Sequence, residues 1–299
     1  LGRAAGGPGG RRFVTLGLLA GRSRRTLASA TTVLEGVGLH SGADASVRVC
    51  PAPSGTGRVF LDLASGQEIP ARAANGEESQ RCTVLRAEGA SIQTVEHLLS
   101  ALAALGVDDA VMEVRGGEIP AADGSAAPFL SWLRGVELQD QEGAAHVSCL
   151  ALARPLLVSG DGGVTLAALP ASHFHATVLL DYPQPWIGTQ ALTFDPAVDD
   201  YESIASARTF GFVRELDWLR ARGLALGASH ENALALGEEG YVGEPRFPDE
   251  LVLHKLLDLI GDLSLVGMPL AAHIIAIKPS HAQNVRLARL LVESAGGAS

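Results

Sequence analysis

The stretch Phe247–Gly267, FPDELVLHKLLDLIGDLSLVG, decides how this chain is read. Pro248 stands where a first helical residue belongs, Asp249 and Glu250 fall in the positive first turn, and Gly267 with Pro269 closes the segment. Leu251, Val252, Leu256, Leu257, Leu259, Ile260 and Leu263 supply the core-forming residues. His254 and Asp258 are four residues apart and so project from one side of a helix, with Asp262 one turn further on. An imidazole and a carboxylate stacked this way can hold one divalent ion, and zinc accepts that donor set. They can equally form an internal His–Asp ion pair, since burying either group unpaired would cost several kcal/mol. The segment alone leaves both open.

Outward from this helix, Thr94–Gly106, TVEHLLSALAALG, predicts a second one, with Thr94 as N-cap and Gly106 just past the end. Glu96 and His97 are adjacent, about 100° apart around the axis. They cannot both point at one ion, but one can ligate while the other reaches the water the ion holds, as in zinc hydrolases. A solvated surface pair is the plain alternative. His281 follows the apolar run Leu270–Ile277, which predicts a buried strand, so it is expected in a loop at a strand end.

The remaining pattern divides near Gln141–Val147. Before it, Ala45–Cys50, Val59–Leu63 and Ala110–Val114 alternate like strands. ADGSAAPF turns into a helix through Leu133, capped by Asp123 or Ser125. After it, RPLLVSGDGGVTLAAL predicts a hairpin turning at SGDGG, and His173–Tyr182 a further strand. Glu202–Arg208 and Val213–Arg222 predict helices, the second ending at Gly223. Strands mixed with helices, without regular βαβ alternation, predict an α+β fold. No strong internal repeat is visible.

Composition sets limits. With 299 residues the chain can bury a sizeable core as one large or two modest domains. A net charge of −10 argues against a general nucleic-acid binder, whose footprint would be basic, while leaving room for a nucleotide substrate held by a few local cations. Cys50, Cys82 and Cys149 form no CxxC and suit a reducing compartment. No apolar run reaches the ~18–20 residues of a membrane span. Residues 1–34 contain no Asp or Glu but six arginines, Arg3, Arg11, Arg12, Arg22, Arg24 and Arg25. Such a leader, placed at 1–23, fits an organelle transit peptide and a mitochondrial address; a disordered bacterial extension or a fragment scar is the alternative.

Together TVEHLLSALAALG, EIPAADGSAAPF (Glu118–Phe129), SARTFGF (Ser206–Phe212), HKLLDLIGDL (His254–Leu263), GVGLHSG (Gly36–Gly42) and the late Ser280–His281 resemble the UDP-3-O-acyl-N-acetylglucosamine deacetylase family. The resemblance runs from about Arg24 to the C-terminus. It implies two domains, 24–143 and 147–299, of similar layered architecture with helices sandwiched between two β-sheets. It implies zinc held by His97, His254 and Asp258, with Glu96 as general base and His281 as general acid. Asp262 would hydrogen-bond His281, Thr209 would help hold the oxyanion, Lys255 would contact polar groups of the substrate, and Phe210 would line its cleft. The substrate would be an acylated UDP-amino sugar, deacetylated in the committed step of lipid A synthesis by a monomer. The family is otherwise found in the bacterial cytoplasm; the leader points to a plant or algal member.

Two departures bear on the acyl-chain passage that the family builds in its second half. His230 stands where members usually carry an apolar residue, and DYPQPWIG carries a large Trp186. His40, in the GVGLH motif, is read as structural or peripheral. His146, His173, His175, His230 and His273 have no partner at ligand spacing. The rival functions are a zinc amidase for another N-acetylated substrate and a non-catalytic lipid- or nucleotide-binding protein stabilised by zinc.

Overall fold

The computed structural model describes residues 21–79, 81–142 and 146–296. Most of the expected leader therefore lies outside the described residues. Within it, Gly21 donates to the Val147 carbonyl and Arg22 forks onto Asp108, so 21–23 are tied to the fold.

In chain order the first half contains β1 (Arg25–Leu27), β2 (Leu34–Val37), β3 (Asp44–Pro51), β4 (Arg58–Asp62) and β5 (Gln67–Pro70). Then come β6 (Gly76–Glu77), β7 (Val84–Ala87), β8 (Ala90–Gln93), α1 (Glu96–Leu105), β9 (Ala110–Arg115), α2 (Ala127–Arg134) and β10 (Leu138–Asp140). The second half opens with β11 (Leu150–Ala151), β12 (Leu156–Ser159), β13 (Thr165–Pro170), β14 (His175–Asp181) and β15 (Thr189–Phe194). It continues through α3 (Glu202–Ala205), β16 (Phe210–Phe212), α4 (Leu216–Arg220), β17 (Leu234–Leu236) and β18 (Tyr241–Val242). It ends with α5 (Glu250–Leu263), β19 (Leu270–Ile277) and α6 (His281–Gly296).

The halves repeat one plan. In the order β2-β3-β9-β4-β5, β9 is antiparallel to β3 and parallel to β4. In the order β12-β13-β19-β14-β15, β19 is antiparallel to β13 and parallel to β14. A parallel pair needs a long crossover, and α1 and α5 lie on the two crossovers, each directly before the central strand of its sheet. The sequence shows no repeat because only the topology is shared.

Each sheet buries one face. Val47 and Val49 of β3 point inward while Arg48 is exposed, and Ala176, Val178 and Leu180 of β14 do the same. Those inner faces join Leu98, Leu102, Leu256 and Leu259 in one core, which makes this an α+β fold of layered sheets with α1 and α5 packed on each other inside it.

Several local expectations hold and several do not. The hairpin at SGDGG, the strand Leu270–Ile277 and the left-handed Gly106 after α1 are as expected. Pro248 and Asp249, however, precede the helix, which starts at Glu250. Thr94 is no N-cap: its φ is 60°, Val95 takes the cap position, and its hydroxyl donates to Glu118. Glu202–Arg208 shortens to α3, because Arg208 leaves the helix to fork onto buried Glu250. Val213–Arg222 begins as a 3₁₀ turn and reaches α-helix only at Leu216. His281 is the first residue of a 16-residue helix rather than part of a loop.

Candidate active site

α1 and α5 present their chemistry to each other across one interface. Glu96 and His97 start α1; His254, Asp258 and Asp262 occupy successive turns of α5; all five are buried. His97 Nε2 lies 3.5 Å and His254 Nε2 3.3 Å from Asp258 Oδ1. The rings of His97 and His254 meet edge to face at 5.1 Å.

The tautomer of His254 is fixed. Its Nδ1 lies 3.0 Å from the Ala207 carbonyl, which can only accept, so Nδ1 carries the proton and the Nε2 lone pair faces Asp258. Burial pulls the His254 pKa down to about 3, keeping the ring neutral. Burial opposes ionisation of Asp258, yet His254, Lys255 and His281 around it hold its carboxyl well below the usual range. Asp258 Oδ1 nevertheless has no hydrogen-bond partner. A buried carboxylate oxygen that faces the His254 lone pair, with the His97 Nε2 beside it and no hydrogen-bond partner, is an unfavourable arrangement that one cation resolves. Separations of 3.3–3.5 Å match the ~3.3–3.5 Å edge of a tetrahedron with zinc-like bond lengths. The three residues form a group whose ligand atoms all lie within 4.8 Å of one another.

Glu96, Asp258 and His281 form a second such group. It is the poorer cage, because metal ligands must be deprotonated and His281 is held protonated. Burial lowers the His281 pKa, but Asp262, Glu96 and Asp258 outweigh it and push it up to about 9. His281 Nδ1 donates to Asp262 at 3.0 Å, which turns Nε2 toward Glu96 Oε1 at 4.0 Å and Asp258 Oδ2 at 3.7 Å. Burial raises the pKa of Glu96, with His281 and His97 opposing it.

The expected residues thus converge, in company that sequence alone does not reveal. Thr83 donates its backbone N–H to Glu96 Oε2 at 3.1 Å and its hydroxyl to Asp262. Asn284 donates to Asp262 Oδ2 at 2.8 Å. Asn284 sits three residues after His281, a spacing that would have flagged it had α6 been foreseen. Nothing about Thr83 in RCTVL marks it. Glu118 receives the backbone N–H groups of His40 and Ser41 and the Thr94 hydroxyl, so GVGLHSG and the start of EIPAADG act together to hold the chain entering α1.

Lys255 is not a solvated lysine: Nζ donates to Asp258 Oδ2 at 2.8 Å and lies 5.5 Å from the centre of the Phe210 ring. Phe210 stands 6.1 Å from His254, in an aromatic wall with Tyr182 and Phe212. Thr209 lies between Phe210 and the 207–208 segment anchored on α5. Its backbone N–H donates to Gly124, and its hydroxyl makes no hydrogen bond among the described residues. Trp186 meets Tyr241 edge to face at the small sheet β16-β17-β18, and His230 is exposed beside it. His173, His175 and His273 contact one another on the outer face of the second sheet, far in the fold from α1.

Comparison with known proteins agrees with this constellation. Residues 24–293 match the family model for UDP-3-O-acyl N-acetylglycosamine deacetylase. The chain is 42% identical to the UDP-3-O-acyl-N-acetylglucosamine deacetylase of Thermosynechococcus vestitus, covering 92% of this chain and 96% of that protein. It is 40% identical to the deacetylase of Myxococcus xanthus, over 89% of this chain and 85% of the relative. With that of Synechocystis sp. the identity is 39%, over 89% and 97%. A match of that extent, spanning both repeated halves and every residue of the buried cluster, makes the chain a member of the UDP-3-O-acyl-N-acetylglucosamine deacetylase family.

Proposed function

We propose that this protein hydrolyses the acetamide of a UDP-3-O-acyl-N-acetylglucosamine, giving acetate and the free amine, the committed step of lipid A synthesis. The observation that carries it is the orphaned Asp258 Oδ1 between His97 and His254, with Glu96 and His281 beside it. Zinc, bound by those three ligands, would polarise the amide carbonyl and make water acidic enough to attack at neutral pH. Glu96 takes the proton of the attacking water; its raised pKa makes it a better base than an exposed carboxylate. His281 gives its Nε2 proton to the departing nitrogen, and its positive charge offsets the oxyanion of the tetrahedral intermediate. Asp262 keeps that ring charged and oriented through Nδ1. Thr209, with a free hydroxyl at the rim, adds a donor to the oxyanion.

Lys255 and Phe210 flank the entrance and serve substrate binding: one Lys255 proton holds Asp258 while the others reach polar groups of the sugar. The acyl chain is assigned to the segment 209–226, with Phe210, Phe212, Trp218 and Leu224 supplying apolar surface. We take 24–143 and 147–299 as the two domains and the monomer as the working unit. Among the described residues no helix is long and apolar enough to cross a membrane. A mitochondrial address rests on the acid-free, arginine-rich leader alone, against the bacterial cytoplasm as alternative.

The test is acetate release from the acylated UDP-sugar by purified protein, with metal content measured by elemental analysis on the same sample. Stoichiometric zinc with release from N-acetylglucosamine peptides or simple sugars, but not from the acylated UDP-sugar, would favour an amidase of another specificity.

A further inference from the structure

A cavity of about 250 Å³ lies beside the C-terminal part of α1 and the last turn of α5. Its lining includes Ala103 of α1 and Ile260 and Leu263 of α5, and none of Glu96, His97, His254, Asp258 or His281. Ala103 is seven residues along α1 from Glu96, about 10 Å at the helical rise. The apolar lining of the cavity includes Phe174, Leu263, Met268 and Leu270. Three arginines, Arg24, Arg58 and Arg72, also line it, against the single carboxylate of Asp108. Gly55 and Gly57 are part of the lining, and a Cβ at Gly57 would lie 3.7 Å from Arg72 Nη2.

Hydrogen bonding shows which of these cations are committed. Arg22 takes both oxygens of Asp108 at 2.6 and 3.0 Å, and Arg24 both oxygens of Asp109 at 2.7 Å. The carbonyls at the end of α1 are also supplied, Gly106 by Arg22 and Val107 by Arg58 Nε. The terminal nitrogens of Arg58 and the whole guanidinium of Arg72 have no hydrogen-bond or ion-pair partner among the described residues. In a chain of net charge −10, two uncommitted guanidiniums on one cavity form a local excess of positive charge. Burial depresses Arg58 to about 10, with Arg22 and Arg24 adding to the effect and Asp108 and Asp109 opposing it.

We propose that this cavity is a second ligand site, for a small amphiphilic anion whose carboxylate or phosphate head sits on Arg58 and Arg72 and whose short apolar body lies on Phe174, Leu263 and Met268. The planar fork of arginine suits either oxyanion. Because Ala103 of α1 and Ile260 and Leu263 of α5 line the cavity, and these two helices carry Glu96, His97, His254 and Asp258, occupancy there braces the pair.

Calorimetric titration of the metal-loaded, full-length protein with hexanoate, hexyl phosphate and hexanol tests this. Saturable binding of at least one anion is expected, with hexanol much weaker; which anion binds identifies the head group. Arg72→Glu sets like charge against the head, and Met268→Glu sets a hydrated carboxylate where the apolar body lies; both positions are exposed, and each change should weaken that binding by about tenfold or more. Deacetylation without added anion should remain within about twofold of the parent in both variants, because neither residue touches the catalytic cluster. The proposal is overturned if neither anion saturates, if hexanol binds as tightly, or if both variants bind like the parent, which would put the anion at the catalytic site instead.

Discussion

Gly261 of α5 lies directly against the backbone of Glu96 in α1: a Cβ at 261 would overlap the Glu96 carbonyl oxygen, with the Glu96 carbonyl carbon next. The general base and the ligand helix are therefore set by a backbone-to-backbone approach that only glycine permits. Ser100, one turn along α1, donates to the Leu257 carbonyl at 3.0 Å, which fixes the register of the pair.

Gly261→Ala should consequently push α1 off α5. A stability loss of about 1–3 kcal/mol is expected from overpacking. Activity should fall further than stability explains, since Glu96 and His97 shift relative to His254 and Asp258. Denaturant unfolding, metal affinity and kcat measured on one preparation check this; a variant with parental zinc affinity and turnover would show that the contact does not set the site.

How far the site was legible in the sequence follows from which contacts are local. His254, Asp258 and Asp262 could be grouped because helical spacing puts them on one face before any fold is known. Glu96 and His97 could be paired with them only through the family resemblance, as the α1–α5 contact is a tertiary event. Thr83 and Asn284 were missed for the same reason, and His281 was misplaced because Leu270–Ile277 hid the helix that follows it. Thr94 looked like an N-cap, yet a tertiary bond to Glu118 claims its hydroxyl.

Chelation should destabilise the protein in a way that depends on metal concentration. Without a cation, Asp258 Oδ1 is left buried without a partner between two imidazoles. A ligand present at a thousand times its Kd adds about 4 kcal/mol of stability. Thermal unfolding of the metal-free protein should therefore occur at lower temperature, restored by stoichiometric zinc but not by magnesium, whose preference is for oxygen donors. Unchanged Tm on chelation would remove the metal from the account.

Binding and chemistry separate in two substitutions. Glu96→Ala should keep zinc while kcat drops by about 10²–10⁴-fold, the usual worth of a general base. His254→Ala should lose metal and activity together, because it removes a donor and leaves Asp258 facing a cavity. Elemental analysis and initial rates on both proteins decide the matter. If Glu96→Ala turned over near normally, the base would lie elsewhere.

The last expectation concerns pH. Asp262, Glu96 and Asp258 raise His281 from an ordinary 6.5 to about 9 against the opposing effect of burial. A group whose folded-state pKa lies above its unfolded value stabilises the fold fully below the unfolded pKa and loses that contribution as pH rises through the folded one. In metal-free protein the window runs from about 6.5 to about 9, and the contribution is on the order of 3 kcal/mol. Asp262→Asn deletes the nearest negative charge while leaving an oxygen to accept from Nδ1. It should bring the His281 pKa down, so the loss of stability with rising pH still starts near 6.5 but ends at lower pH and is smaller than in the parent. Urea unfolding of both metal-free proteins at pH 6 and pH 9.5 reads that difference. In the zinc-loaded enzyme the same substitution should move the alkaline limb of kcat/KM to lower pH and, since Asp262 also raises Glu96, move the acidic limb the same way by less. A larger movement of the acidic limb than of the alkaline one would mean that the proton donor and acceptor are assigned the wrong way round.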